Sequence, residues 1–138
     1  MTGMTYGGFD GFKNAGNADL FLVKYNSSGT KQWTNQLGSS SDDYANGIVT
    51  DSSGSVYVTG TTYGGLDGNT SAGGDDLFIV KYNSSGTKLW TKQLGTSSQD
   101  LAEGVATDSS GNVYVAGYTG GGLDGKSSAG IDELVVVK

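Results

Sequence analysis

The chain has 138 residues, with 25 Gly, eight Lys, no Arg, no Pro, no Cys and no His, and a formal net charge of −6. Without Cys there is no disulfide framework, thiolate zinc site or cysteine nucleophile. Without His the side chain most used for acid–base chemistry near neutral pH is missing. The acidic balance also argues against a protein that tracks nucleic-acid phosphates, and no stretch approaches the roughly 20 apolar residues of a membrane-spanning helix.

Residues Met1–Lys24, MTGMTYGGFDGFKNAGNADLFLVK, align without a gap on Val58–Lys81, VTGTTYGGLDGNTSAGGDDLFIVK. They are Gly-rich and carry neither the basic start nor the apolar core of a signal peptide. Lys24, Lys81 and Lys138 stand 57 residues apart and close successive copies of one unit. The chain therefore divides into a partial copy, 1–24, and two full copies, 25–81 and 82–138, all forming one repeat domain.

Within a copy the pattern is β throughout. Leu77, Phe78, Ile79 and Val80 make a short continuous apolar run, as expected of a strand covered on both faces. Asn83-Ser-Ser-Gly86 then reverses the chain, since Asn bonds nearby backbone and Gly accepts positive φ. Lys88–Leu94 follows as a strand centred on Trp90 and Thr91, and a polar loop runs from Gly95 to Asp100. Leu101–Thr107 is a strand of small residues, with Ala102, Gly104 and Ala106 at period two. Asp108-Ser-Ser-Gly111 repeats the turn chemistry, Asn112–Thr119 returns, and a Gly-rich loop spans Gly120–Asp132.

Four antiparallel strands per repeat of this length predict an all-β chain of β-propeller blades, about two and a half of them. The small-residue strand is placed innermost as strand A, followed outward by B (Asn112–Thr119), C (the LFIVK strand) and D (the Trp strand). Both tight turns then fall on one face, and both long loops on the other.

Asp108-Ser-Ser-Gly-Asn-Val-Tyr-Val-Ala-Gly-Tyr-Thr119, with Leu77-Phe-Ile-Val-Lys-Tyr82 in its own copy, resembles the bacterial β-propeller repeat family abbreviated SBBP. The resemblance covers essentially the whole chain and implies a propeller fold and an extracellular or cell-surface setting. It implies no catalytic residues, because the family has no single activity. The third copy departs from the pattern at Leu134-Val-Val-Val-Lys138, where the aromatic is lost.

In blade terms the first blade lacks strand A and the last lacks strand D. The open edges call for further blades or for copies of the chain itself. For a metal, the B–C loop of the central copy offers Asp67, Asn69, Ser71, Gly73 and Asp75 at alternating positions, resembling the calcium loops of integrin-type propellers; no cofactor is expected unless calcium binds there. A Gly-rich turn whose Asp and Ser satisfy local backbone groups explains the same residues. The first copy offers Asp10, Phe12, Asn14, Gly16 and Ala18, and the third offers Asp124, Lys126, Ser128, Gly130 and Asp132, neither a convincing ligand set.

Asp42, Asp43, Tyr63 and Asp100 are assigned to the long-loop face as an interaction surface for a cation, a sugar or a basic partner. Trp33, Trp90, Tyr57 and Tyr114 are assigned to blade packing. The recurring lysines are expected to pair with Asp51 or Asp108, and Asn26 and Asn83 to serve the turns rather than glycosylation. The functional expectation is a non-enzymatic extracellular module, structural or interacting, in a surface adhesin or self-assembling polymer. The alternative is a calcium- or carbohydrate-binding module working through the long-loop face.

Overall fold

Ten strands fold into three antiparallel sheets in the computed structural model, which describes residues 1–128 and 133–138. Strands β1 (Thr2–Thr5), β2 (Asp19–Tyr25) and β3 (Lys31–Leu37) form the first sheet in that order. Strands β4 (Asp43–Thr50), β5 (Val56–Thr62), β6 (Asp76–Tyr82) and β7 (Lys88–Leu94) form the complete central sheet. The third contains β8 (Asp100–Thr107), β9 (Val113–Thr119) and β10 (Glu133–Val137). The sequence copies run D-A-B-C, whereas each sheet groups A-B-C-D, so β3 of the second copy completes the sheet begun by the first. Successive sheets meet through their inner strands: β4 packs on β1 and β2, and β8 packs on β4, β5 and β6.

One device makes all four tight turns. Asn26, Asp51, Asn83 and Asp108 each use Oδ1 to accept backbone N–H groups two and four residues on. The glycine three residues after each, from Gly29 to Gly111, has φ between 78° and 86°. This is the left-handed region that glycine enters without steric cost. Asn26 and Asn83 are thus fully explained as turn residues.

The third strand of the central sheet is covered on both faces. Phe78, Val80 and Tyr82 point toward the first sheet into a cluster with Leu20, Leu22 and Val58, while Leu77 and Ile79 point the other way toward Ala102, Val115 and Leu123. Fully burying side chains of this size stabilises by about 1.5–3 kcal/mol each, so the two inter-sheet clusters supply much of the cohesion of the array.

The inner strands depart from the period-two reading. The register of β8 slips between Ala102 and Gly104, and that of β4 slips between Ala45 and Gly47, leaving Glu103 and Asn46 as bulged residues. The bulge breaks the alternation, so Ala102 is buried while Ala106 is exposed. Opposite each bulge the chains approach closely. A Cβ on Gly60 would lie 1.8 Å from the Tyr44 carbonyl oxygen, and one on Gly117 would lie 1.8 Å from that of Leu101.

Candidate functional site

Each complete inner strand opens on a buried aspartate. Asp43 Oδ2 accepts the Ser39 N–H at 2.6 Å and the Ser39 hydroxyl at 3.0 Å, while Oδ1 accepts the Thr62 hydroxyl. Asp100 repeats the arrangement with Thr96, at 2.6 and 2.9 Å, and with Thr119. Both aspartates are fully buried. Asp43 and Asp100 therefore leave the exposed interaction face to which the sequence assigns them, and instead clamp the D–A loop to the end of the second strand. Burial pushes the Asp43 carboxyl above the usual carboxylate range, although its bonds to Thr62 and Ser39 pull the other way.

The expected calcium loop is committed to other partners. Asp67, in the left-handed region at φ 54°, accepts the Lys88 ammonium on one oxygen and the Thr91 hydroxyl on the other, the latter at 2.7 Å. Burial opposes ionisation there, but the Lys88 and Thr91 bonds outweigh it and hold the carboxyl below its ordinary value. Asp10 stands in the same relation to Lys31, at 2.5 Å, and to Thr34. These aspartates pin the B–C loop to the outer strand.

Asn69 donates to the Leu66 carbonyl at 2.8 Å, Ser71 donates to that of Gly73 at 2.9 Å, and the buried Asp75 accepts from Gln99 at 3.3 Å. Asp67, Asn69 and Asp75 thus each bond a different partner outside the set, and Ser71 and Gly73 bond each other. No group of three or more acidic side chains is placed to hold a metal among the described residues. In the third copy, Gly130 and Asp132 lie outside the described residues.

A pairing of a half-buried glutamine with a buried aspartate, absent from the assignments made on the sequence, supports the same loops. Gln93 Nε2 donates to Asp76 Oδ2 at 2.7 Å and to the Gly64 carbonyl at 2.9 Å, and its Oε1 accepts from Leu66 N–H at 2.9 Å. Gln36 does the same for Asp19, Gly7 and Phe9. The signal was available, since Asp19/Asp76 and Gln36/Gln93 recur one repeat apart, but their pairing across the third and outer strands is a matter of register. The other oxygen of Asp76 has no partner, because the Gly73 N–H turns to Ser71, whereas the corresponding Gly16 N–H reaches Asp19 at 3.3 Å.

What remains exposed at the long-loop end is aromatic and acidic. Tyr44 and Tyr63 meet edge to face, with centroids 5.9 Å apart and planes at 89°. Tyr63 is 46 % exposed and Tyr6 71 % exposed. Burial first, and then Asp42 with the neighbouring Tyr6 and Tyr63, pushes the Tyr44 phenol up. Burial followed by Asp75 and Asp42 does so for Tyr63. Of the sequence-level face, Asp42 and Tyr63 thus stay together, joined by Asp75 from the calcium assignment. Tyr6 was visible as the repeat counterpart of Tyr63. Tyr44 was not, because Leu101 replaces it in the next copy.

At the opposite end the recurring lysines find partners other than the expected aspartates. Lys81 lies over the Tyr57 ring at 4.9 Å and Lys138 over that of Tyr114 at 5.7 Å, while the tyrosine hydroxyls donate to Asp51 and Asp108. The aromatic ring intervenes because lysine and tyrosine are direct cross-strand neighbours, Tyr57 with Lys81. Lys24 donates to the Ser84 carbonyl at 2.9 Å. Trp33 packs between sheets as expected, stacking on Tyr82 at 6.4 Å, whereas Trp90 leans on Tyr57 of its own sheet at 6.1 Å and stays 36% exposed.

With the repeated sheets and turns in place, comparison with known families is direct. Residues 32–67 and 89–124 match the beta-propeller repeat family SBBP. The chain belongs to this family. Each SBBP match runs from the outer strand of one sheet, through the clamping aspartate, into the B–C loop of the next, so Asp43 and Asp100 occupy equivalent places in both.

Over 131 residues the chain is 32% identical to an uncharacterized WD repeat-containing protein, L264, of Acanthamoeba polyphaga mimivirus, covering 80% of this chain and 9% of that protein. Over 125 residues it is 31% identical to the regulatory protein FlaEY of Caulobacter vibrioides, covering 85% of this chain and 13% of that protein. The SBBP repeats here thus span about a tenth of the length of these curated relatives.

Proposed function

We propose that this SBBP segment is a non-enzymatic interaction module of an extracellular or surface protein, and that its long-loop face takes a basic segment of a partner protein. The edge-to-face pair Tyr44 and Tyr63, with the half-buried Asp42 beside it, carries this reading. Tyrosines present large apolar rings at low conformational cost and attract a lysine or arginine head group through the ring face, while the Asp42 carboxylate supplies charge complementarity. The net charge of −6 favours the same sign of partner. The buried Asp43 and Asp100 are held by three hydrogen bonds each as loop clamps, and the module acts by display and docking.

The test is titration with a lysine-rich peptide at low and high salt, followed by tyrosine and tryptophan emission. Saturable binding that weakens with salt, and at least tenfold with Tyr63→Ala, is expected. Binding unaffected by Tyr63→Ala overturns the reading, and a response to neutral glycans with none to the peptide replaces it with a carbohydrate-binding one. An extracellular setting is checked by protease accessibility on intact cells.

A further inference from the structure

The tyrosine pair of the long-loop end lies wholly within the complete central sheet. Tyr44 follows the clamping Asp43 on β4, and Tyr63 stands directly after β5. Tyr44 is opposite Thr61 in the ladder, two residues before Tyr63, so the strand register holds the two rings together. Among the described residues theirs is the one ring contact between two tyrosines, with centroids 5.9 Å apart.

Each phenol also lies against a carboxylate of its own, Tyr44 against Asp42 and Tyr63 against the buried Asp75. A base within hydrogen-bond reach can take the phenolic proton as an electron leaves the ring. No cysteine is present to compete for an oxidant. Tyr63 is 46% exposed and has room to turn from edge-to-face contact until the two ring edges meet.

We propose that Tyr44 and Tyr63 form a cross-linking pair, joined as dityrosine by hydrogen peroxide acting through a haem peroxidase. Each ring gives one electron to the oxidant and its phenolic proton to its carboxylate. The two phenoxyl radicals form one carbon–carbon bond between positions ortho to the oxygens. Hydrogens on those carbons then move through water to the oxygens, which restores both rings. The chain loses two hydrogens, and the two electrons and two protons reduce one peroxide to two waters. Contact within one sheet favours this coupling over coupling between chains. The inference concerns the face proposed above for docking, but needs no partner there.

The experiment treats the full 138-residue chain in dilute solution with a haem peroxidase and hydrogen peroxide, with free tyrosine as the control in every arm. A product of single-chain size on a denaturing gel is expected, two hydrogens lighter, with dityrosine emission and a linked peptide containing Tyr44 and Tyr63. Tyr63→Phe should abolish the product and Tyr6→Phe should leave it. Asp42→Asn, which removes one proton acceptor, should slow its formation. Oxidation of the chain in urea should lower the yield at least tenfold.

No dityrosine where free tyrosine couples, a link that maps to Tyr6, or equal yield from the unfolded chain overturns the proposal. Phenylalanine keeps the ring face, so the Tyr63→Phe protein should still bind the lysine-rich peptide. Docking by the parent chain without cross-linking rejects this inference alone, and cross-linking without docking rejects the docking reading alone.

Discussion

The Tyr57 hydroxyl donates to Asp51 Oδ2 at 3.1 Å, while the other oxygen of Asp51 holds the turn between the first two strands of the central sheet. Tyr114 and Asp108 repeat the pair at 3.0 Å. Bonds led by the Ser53 hydroxyl lower the Asp51 carboxyl to about 2, and bonds led by the Asn112 side chain do the same for Asp108. A depressed carboxylate stabilises the fold above its unfolded value of about 3.9 and loses that contribution as pH falls through the folded value.

Asp51→Asn and Asp108→Asn should therefore melt below the parent at neutral pH and converge with it as pH falls from about 4 to about 2. Asn26 and Asn83 show that asparagine can make the same turn, so the turn itself is expected to survive. Thermal melts across that range are the check, and a gap independent of pH rejects the assignment. Asp43 acts in the opposite sense: its raised carboxyl favours the fold as pH falls through its folded value.

Gly29 and Gly86 occupy the same place in identical turns, at φ 78° and 86°. Alanine at either meets the left-handed penalty of about 1–2 kcal/mol. Nothing lies within 4 Å of a Cβ on Gly29, but one on Gly86 would stand 2.7 Å from Trp33 Cδ2. Gly86→Ala should therefore cost about 1–3 kcal/mol more than Gly29→Ala, measured by denaturant unfolding.

Asp43→Ala should destabilise by about 2–4 kcal/mol, since it leaves the Ser39 N–H and Thr62 hydroxyl without their acceptor in a buried site. Asp42→Ala removes one 3.1 Å bond to Ala18 N–H and should cost about 1 kcal/mol. Equal losses for the two neighbours would contradict the division between clamp and display.

Millimolar calcium or a chelator should leave the melting temperature unchanged. Both Asp67 oxygens already serve Lys88 and Thr91, so a cation would have to displace an ammonium from its carboxylate. A calcium-dependent rise in melting temperature that disappears in Asp67→Ala would restore the metal assignment.

Strand positions were legible because local chemistry decides them: β7 falls on Lys88–Leu94 as expected, and the four turns follow from Asn or Asp and Gly at fixed offsets. The site was less legible because its members meet through register. Asp43 follows Ser-Ser-Ser-Asp and reads as loop, yet Thr62, opposite it in the sheet, draws it inside. The bulges at Asn46 and Glu103 leave no trace in alternation and decide which inner-strand residues face a neighbouring sheet. Asp67 reads as a loop carboxylate free for a cation, but its lysine lies on β7, beyond the intervening β6 and 21 residues away.

The bulge in the central sheet also gives the copies an order. Asn46 projects from β4 and donates to the Ala102 carbonyl of the next inner strand at 2.8 Å. The same position in the following copy is Glu103, whose carboxylate, when ionised, accepts hydrogen bonds and cannot donate one. A repeat packed behind β8 as β8 packs behind β4 would meet the Glu103 carboxylate with a backbone carbonyl, so one side chain per repeat distinguishes one junction from the next.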